Sequence, residues 1–261
     1  MADILALVLR HNSARPGDLN NFSFTSVTAA SELGVKVLFL TPTPIQKLPG
    51  PLQDSLANLN PDGLKKIKFM YPRSQEELLQ DVASLHEYAC GPAAPPSLLI
   101  VDGLERYLGA GAGPDGSPQK EDQLAAAHIS ALLADTAAFL TRKLEERSEA
   151  CAPCRVIVSF DIARQGHASG DLTAPDPVLS VLDRYFPVRG TLDRDWSSAP
   201  PNTAGEPGAA WQLYFSGVGV TASHAAGKEE GPFLGQQWCL AIRPNGAMEF
   251  SMNSSENQTK E

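Results

Sequence analysis

Disulfide chemistry is the first thing this sequence has little of: Cys90, Cys151, Cys154 and Cys239 are its four cysteines in 261 residues. That is too few for a disulfide framework in a chain this long and points to a reducing compartment. Also absent is any uninterrupted apolar run near the roughly 20 residues that cross a bilayer. The N-terminal MADILALVLRHN has six consecutive apolar residues after Asp3 and no basic leader, so a secretory signal is not expected. The expectation is a soluble, intracellular protein. Positive charge is in deficit, with 21 Lys and Arg against 30 Asp and Glu and a net charge of -9. Bulk attraction to nucleic acid is therefore disfavoured, and any DNA contact must come from a local patch.

What is present is ample core material, 43% hydrophobic residues, with 21 Gly and 21 Pro gathered into patches that predict long loops. DILALVL (3–9) and VKVLFLT (35–41) read as buried strands, with a short helix over 23–33 between them that Gly34 ends. KIKFM (66–70) is a third strand. Ser74 and Glu77 form a capping box for a helix over 74–89, whose Leu78, Val82, Leu85 and Ala89 share one face. SLLIVDGL (97–104) is a buried strand delivering Asp102 to the sheet edge. A helix over 121–147 carries Leu124, Leu132, Leu133, Ala137, Leu140 and Leu144 as its apolar stripe, and RVIVSF (155–160) is another buried strand.

This alternation predicts an α/β domain over 1–252, mostly parallel, with helices on both faces. WQLYF (211–215), QQWCLAI (236–242) and AMEFSM (247–252) would add an antiparallel C-terminal extension, the last two joined by an RPNG hairpin turn. Flexible loops are expected at 109–119, 196–210 and 222–232, and a disordered tail at 253–261.

Asp102 sits where a nucleotide-hydrolysing protein holds magnesium, but the accompanying phosphate loop is missing. Laid on G-x-x-x-x-G-K-[ST], PGDLNNFS (16–23) matches only at Ser23, with Phe22 in place of the lysine. No Phe rotamer supplies a positive charge to terminal phosphates. Ser23 and Asp102 thus read as nucleotide-site remnants, and Asp102 has the alternative role of capping the turn after its strand.

VLFLTPTPIQKLP, LKKIKFMYPRSQEELLQDVASLHE, SLLIVDGLERYL, LLADTAAFLTRKL and LDRYFPV, in this order, resemble the subunit that associates with a SWIM zinc-finger protein in the vertebrate Shu complex. That subunit is a RecA-like recombinase paralogue, and the similarity runs from about Val37 to Val188. The resemblance implies a RecA-like, P-loop-NTPase-type core and a nuclear role in homologous recombination. It also implies a heterodimer with the SWIM protein, joint binding of single-stranded DNA, and support of recombinase filament assembly or stability. Some members carry GSGKT; this chain departs there, and again at Thr41-Pro42, where RecA-like ATPases place a catalytic Glu. Neither enzymatic activity nor a cofactor is expected, with a DNA-stimulated ATPase using ATP and magnesium as one alternative and a DNA-free protein scaffold as another.

Lys65, Lys66, Lys68 and Arg73 form a basic cluster in which residues 66 and 68 share one strand face, suited either to backbone phosphates or to blunting an edge strand. Arg164 and His167 lie in ARQGHASG after the 155–160 strand, a position that resembles the second DNA-binding loop of RecA-like proteins. Trp211, Tyr214, Phe215 and Trp238 are candidate anchors for a partner, with strand alternation sending about half of them inward. Cys151-Ala-Pro-Cys154 precedes a strand and completes no zinc site, the five His residues are scattered, and Phe160 of an F-x-x-A match is expected in the core.

Overall fold

Nine strands pair into one sheet among the described residues of the computed structural model, namely 6–11, 35–45, 62, 65–91, 94–109, 118–147, 152–161, 176–195, 209–216, 237–242 and 248–252. In chain order the elements are β1 (Ala6–His11), β2 (Val37–Leu40), β3 (Ile67–Met70), α1 (Gln75–Ala89), β4 (Leu98–Val101), a 3-10 turn (Leu104–Tyr107) and α2 (Pro118–Glu145). They continue with β5 (Arg155–Asp161), α3 (Pro177–Tyr185), β6 (Val188–Asp195), β7 (Ala209–Ser216), β8 (Gln237–Ile242) and β9 (Met248–Met252). The spatial order is β3-β2-β4-β5-β1-β6-β7-β8-β9. Pairing is parallel from β3 through β6 and antiparallel from β6 to β9.

The parallel strands are apolar on both sides, and register turns that composition into two core layers. Leu38, Leu99 and Val156 lie abreast, as do Leu40, Val101 and Val158, and they face the helices. Val37 and Leu98, then Phe39, Ile100 and Ile157, occupy the opposite face, where all but the partly buried Ile157 are closed to solvent. Burying both faces is what parallel strands require, because neither side alternates with polar residues.

Ser74 caps α1 by accepting from the Glu77 N–H at 3.2 Å, while the Glu77 carboxylate accepts from the Arg73 N–H at 2.7 Å, one residue before the cap. Helix α2 starts at Pro118, inside the loop expected over 109–119, and ends at Glu145. Its buried stripe is Ala126, Ile129, Leu133, Ala137, Leu140 and Leu144, whereas Leu124 is 64% exposed. Two residues of helix turn through about 200°, which sends Leu124 away from the face that Ala126 buries. Lys120–Glu145 is long and apolar enough to cross a membrane by length and composition alone, although polar residues interrupt it throughout; here its stripe joins the core with α1 and α3.

Helix α3 and strand β6 have no counterpart in the sequence reading. Asp176 caps α3, accepting from Val178 N at 2.8 Å and Leu179 N at 3.3 Å, with Pro177 opening the first turn. Strand β6 then couples the two halves of the sheet, parallel to β1 and antiparallel to β7. Ala209 and Ala210 belong to β7, so the expected 196–210 loop is shorter at that end. Strands β8 and β9 pair as the expected hairpin requires. The helix at 23–33, the 222–232 loop and the 253–261 tail lie outside the described residues.

Leu99 is wholly buried at the middle of this layer. Leu99→Ala should cost about 2–5 kcal/mol of stability by urea unfolding, and Leu124→Ala less than about 0.5 kcal/mol.

Candidate functional site

Parallel strands bring all their C-terminal ends to one side of the sheet, and there the polar groups converge. Asp102, 6% exposed, directly follows β4, and its N–H donates to Leu40 O at 2.8 Å. The hydroxyl of Ser159 on β5 donates to Asp102 Oδ1 at 2.8 Å and accepts from the Gly103 N–H at 2.7 Å. The expected turn-capping is therefore indirect: Asp102 orients Ser159, and Ser159 holds the turn. Gly103 has φ +76°, and a Cβ there would sit 3.3 Å from the Arg106 side chain, so the position favours glycine on both counts.

Around this turn, Tyr107 Oη donates to Pro72 O at 3.2 Å. Burial, and then the charge of Asp102, push the Tyr107 phenol well above its ordinary range. Glu105 accepts from the Asp161 N–H at 3.1 Å, and burial raises its carboxyl above the usual range. Arg106 donates to Thr43 Oγ1 at 2.8 Å and lies 3.9 Å from Glu105. Thr41, at the position where a catalytic Glu would stand, is buried and follows β2. Ser23 lies outside the described residues. Ser159, Glu105 and Arg106 escaped the sequence reading, although a serine inside an apolar strand is itself a signal, since a buried hydroxyl needs partners.

The basic cluster is divided by the fold. Lys65 and Lys66 precede β3 at the opposite, N-terminal end of the sheet, and Lys68 lies within the strand. Arg73 follows β3 beside Pro72, on the Asp102 side. Strand β3 is one of the two sheet edges among the described residues, which meets the expectation of a lysine-bearing edge. Lys65 pairs with Asp62 at 2.9 Å on the surface, and Lys68 Nζ stands 5.2 Å from the centroid of the Tyr88 ring. Arg164 and His167 lie outside the described residues.

Of the aromatic candidates, Trp211 is 4% exposed and packs inside with Leu213, two residues along the same strand face. Tyr214, Phe215 and Trp238 are half-buried and remain accessible. Tyr214 Oη donates to Gln212 Oε1, and Trp238 Nε1 is buried without a hydrogen-bond partner among the described residues.

Phe160 is fully buried, and His86 stacks on Phe139 at 4.4 Å with Nε2 3.2 Å from Thr136 Oγ1, so both serve packing. Among the described residues no group of His, Cys, Asp or Glu could hold a metal. Cys154 is buried, and burial pushes its thiol up to about 12, the reverse of an activated redox cysteine. Cys151 lies outside the described residues, and Cys90 is exposed. Iodoacetamide at mildly alkaline pH should alkylate Cys90 in the native protein and Cys154 only after unfolding, read by peptide mass spectrometry; native alkylation of Cys154 would contradict its burial.

No protein-family model matches the chain. Over 170 residues, 65% of its length, it is 38% identical to the mouse protein ATPase SWSAP1 and equally to the human protein of that name. It spans 52% of the mouse relative and 64% of the human one. The crystal structure of the RadB recombinase superposes with a TM-score of 0.55 at 13% identity, covering 92% of this chain and 88% of that one. That likeness establishes the RecA-like fold. The chain is thus similar in sequence to ATPase SWSAP1 of two mammals and in fold to a recombinase, as its motifs imply.

Proposed function

We propose that this chain is a non-catalytic recombinase paralogue acting in homologous recombination. In this reading it pairs with a SWIM zinc-finger protein in the nucleus, binds single-stranded DNA jointly with that partner, and promotes assembly or stability of recombinase filaments. The observation that carries it is the state of the nucleotide-site remnant. Phe22 stands where a phosphate-loop lysine is needed, Thr41 where a catalytic Glu is needed, and the surviving acid, Asp102, is bonded into the sheet by Ser159. A carboxylate with a satisfied structural role needs no magnesium to explain its presence.

The aromatic residues of the antiparallel extension, Phe215 and Trp238 on the Trp211 face of the sheet and Tyr214 on the other, offer the partner apolar anchors. The name of the mammalian relatives supports a second reading, a working ATPase with an unconventional phosphate loop. The two separate on nucleotide binding. Titration of the full chain, alone and with the SWIM partner, should show no saturable magnesium-dependent binding of ATP. Asp102→Asn keeps an acceptor for Ser159 but removes the charge a metal needs, so it should leave thermal stability and recombination function nearly intact. Saturable binding that this substitution abolishes would establish the ATPase reading instead.

A further inference from the structure

At the N-terminal end of the parallel strands, Lys36, Lys65, Lys66 and Lys68 line a cavity of about 110 Å³, with Tyr88 of α1 on its wall. Lys36 precedes β2 and Lys66 precedes β3, so parallel pairing sets them side by side, while Lys68 shares the α1-facing side of β3. Lys36 is anchored by donation to Ala94 O at 3.1 Å, Lys65 is held by Asp62, and Lys68 sits against the Tyr88 ring. Opposing charge is close by: burial and then Glu77 raise the Asp81 carboxyl above its usual range, and Lys68 only partly offsets that rise. In a chain of net charge -9, this convergence of lysines on one cavity stands apart from the composition. Tyr88 is 46% exposed, one of few large hydrophobic residues so placed among the described ones.

We propose that this cavity is where the chain itself holds single-stranded nucleic acid: a backbone phosphate seated among Lys36, Lys66 and Lys68, and an adjacent base stacked on Tyr88. The lysine ammonium groups are point charges that can contact a phosphate from several directions. A cationic groove bordered by an exposed aromatic ring is how proteins hold single strands without reading sequence. The position has a consequence. Ligands of open α/β sheets gather at the carboxyl ends of the strands, but this cavity lies at the other end, separated from Asp102 by a four-residue strand, about 13 Å long. Binding here needs no nucleotide at the remnant site.

The inference rests on the reading that this chain contacts single-stranded DNA, and the experiment separates the two. The full chain, alone and with the SWIM partner, is titrated with fluorescein-labelled oligothymidylate by anisotropy over a series of salt concentrations, circular dichroism confirming the fold of each variant. Lys66→Ala/Lys68→Ala should weaken binding at least ~10-fold and lower the log-log salt slope by ~1.4, the loss of two phosphate contacts on a single strand. Tyr88→Ala should weaken it about 5- to 100-fold, with Tyr88→Phe close to wild type. If wild type binds the oligonucleotide and these variants bind it equally well with the same slope, the site is wrong although the DNA reading stands. If wild type binds it neither alone nor with the SWIM partner, both fall. If the lysine variant instead loses only binding to a labelled polyglutamate peptide, the cavity docks an acidic protein segment and the proposal is overturned.

Discussion

The Ser159 hydroxyl donates to Asp102 and accepts from Gly103, joining residues 57 positions apart in the chain. Both partners sit where β4 and β5 end, so the bond fixes the turn that launches the Leu104–Tyr107 segment. Tyr107 in turn reaches Pro72, before α1, and Glu105 reaches the Asp161 backbone at the end of β5. An unpaired carboxylate in this setting would be costly. The arrangement therefore stabilises the turn by the same contacts that satisfy the acid, and on the proposed function that structural role is reason enough to keep Asp102.

The parallel half of the sheet gives the molecule two chemically different ends. At the carboxyl end, acids, threonines and Arg106 are bonded to one another and to the backbone; at the amino end, lysines border a cavity beside Tyr88. Strand β6 makes the third region available. Parallel to β1 on one side and antiparallel to β7 on the other, it joins on an antiparallel extension whose inner strands β7 and β8 bear Tyr214, Phe215 and Trp238. On the proposed function these regions divide the roles, with structure at one end, nucleic acid at the other, and the partner on the extension.

Much of the frame was legible because its signals are local. Continuous apolar runs gave β2, β4 and β5, the Ser74–Glu77 box gave the start of α1, and alternation in WQLYF sent part of its aromatic residues inward without saying that Trp211 is the one. Helix α3 went unread even though Asp176-Pro177 is a start signal, because only nine residues follow and give little more than two turns of periodicity. Strand β6, VRGTLDRD, mixes a glycine with charges and carries no apolar run; neighbours on both sides make it a strand. The lone Lys36 gave no sign in sequence, since parallel pairing alone brings it to Lys66. In the same way the basic run 65–73 looked like one patch, yet a strand crosses the sheet and delivers Arg73 to the far end.

On the proposed function the chain supports recombination as an adaptor, without nucleotide chemistry of its own. The lifetime of recombinase filaments on single-stranded DNA, followed by single-molecule fluorescence with the SWIM partner present, tests this most directly. Wild type and Asp102→Asn should lengthen that lifetime equally. A chain that leaves the lifetime unchanged, or an effect lost on Asp102→Asn in a stably folded variant, would contradict it.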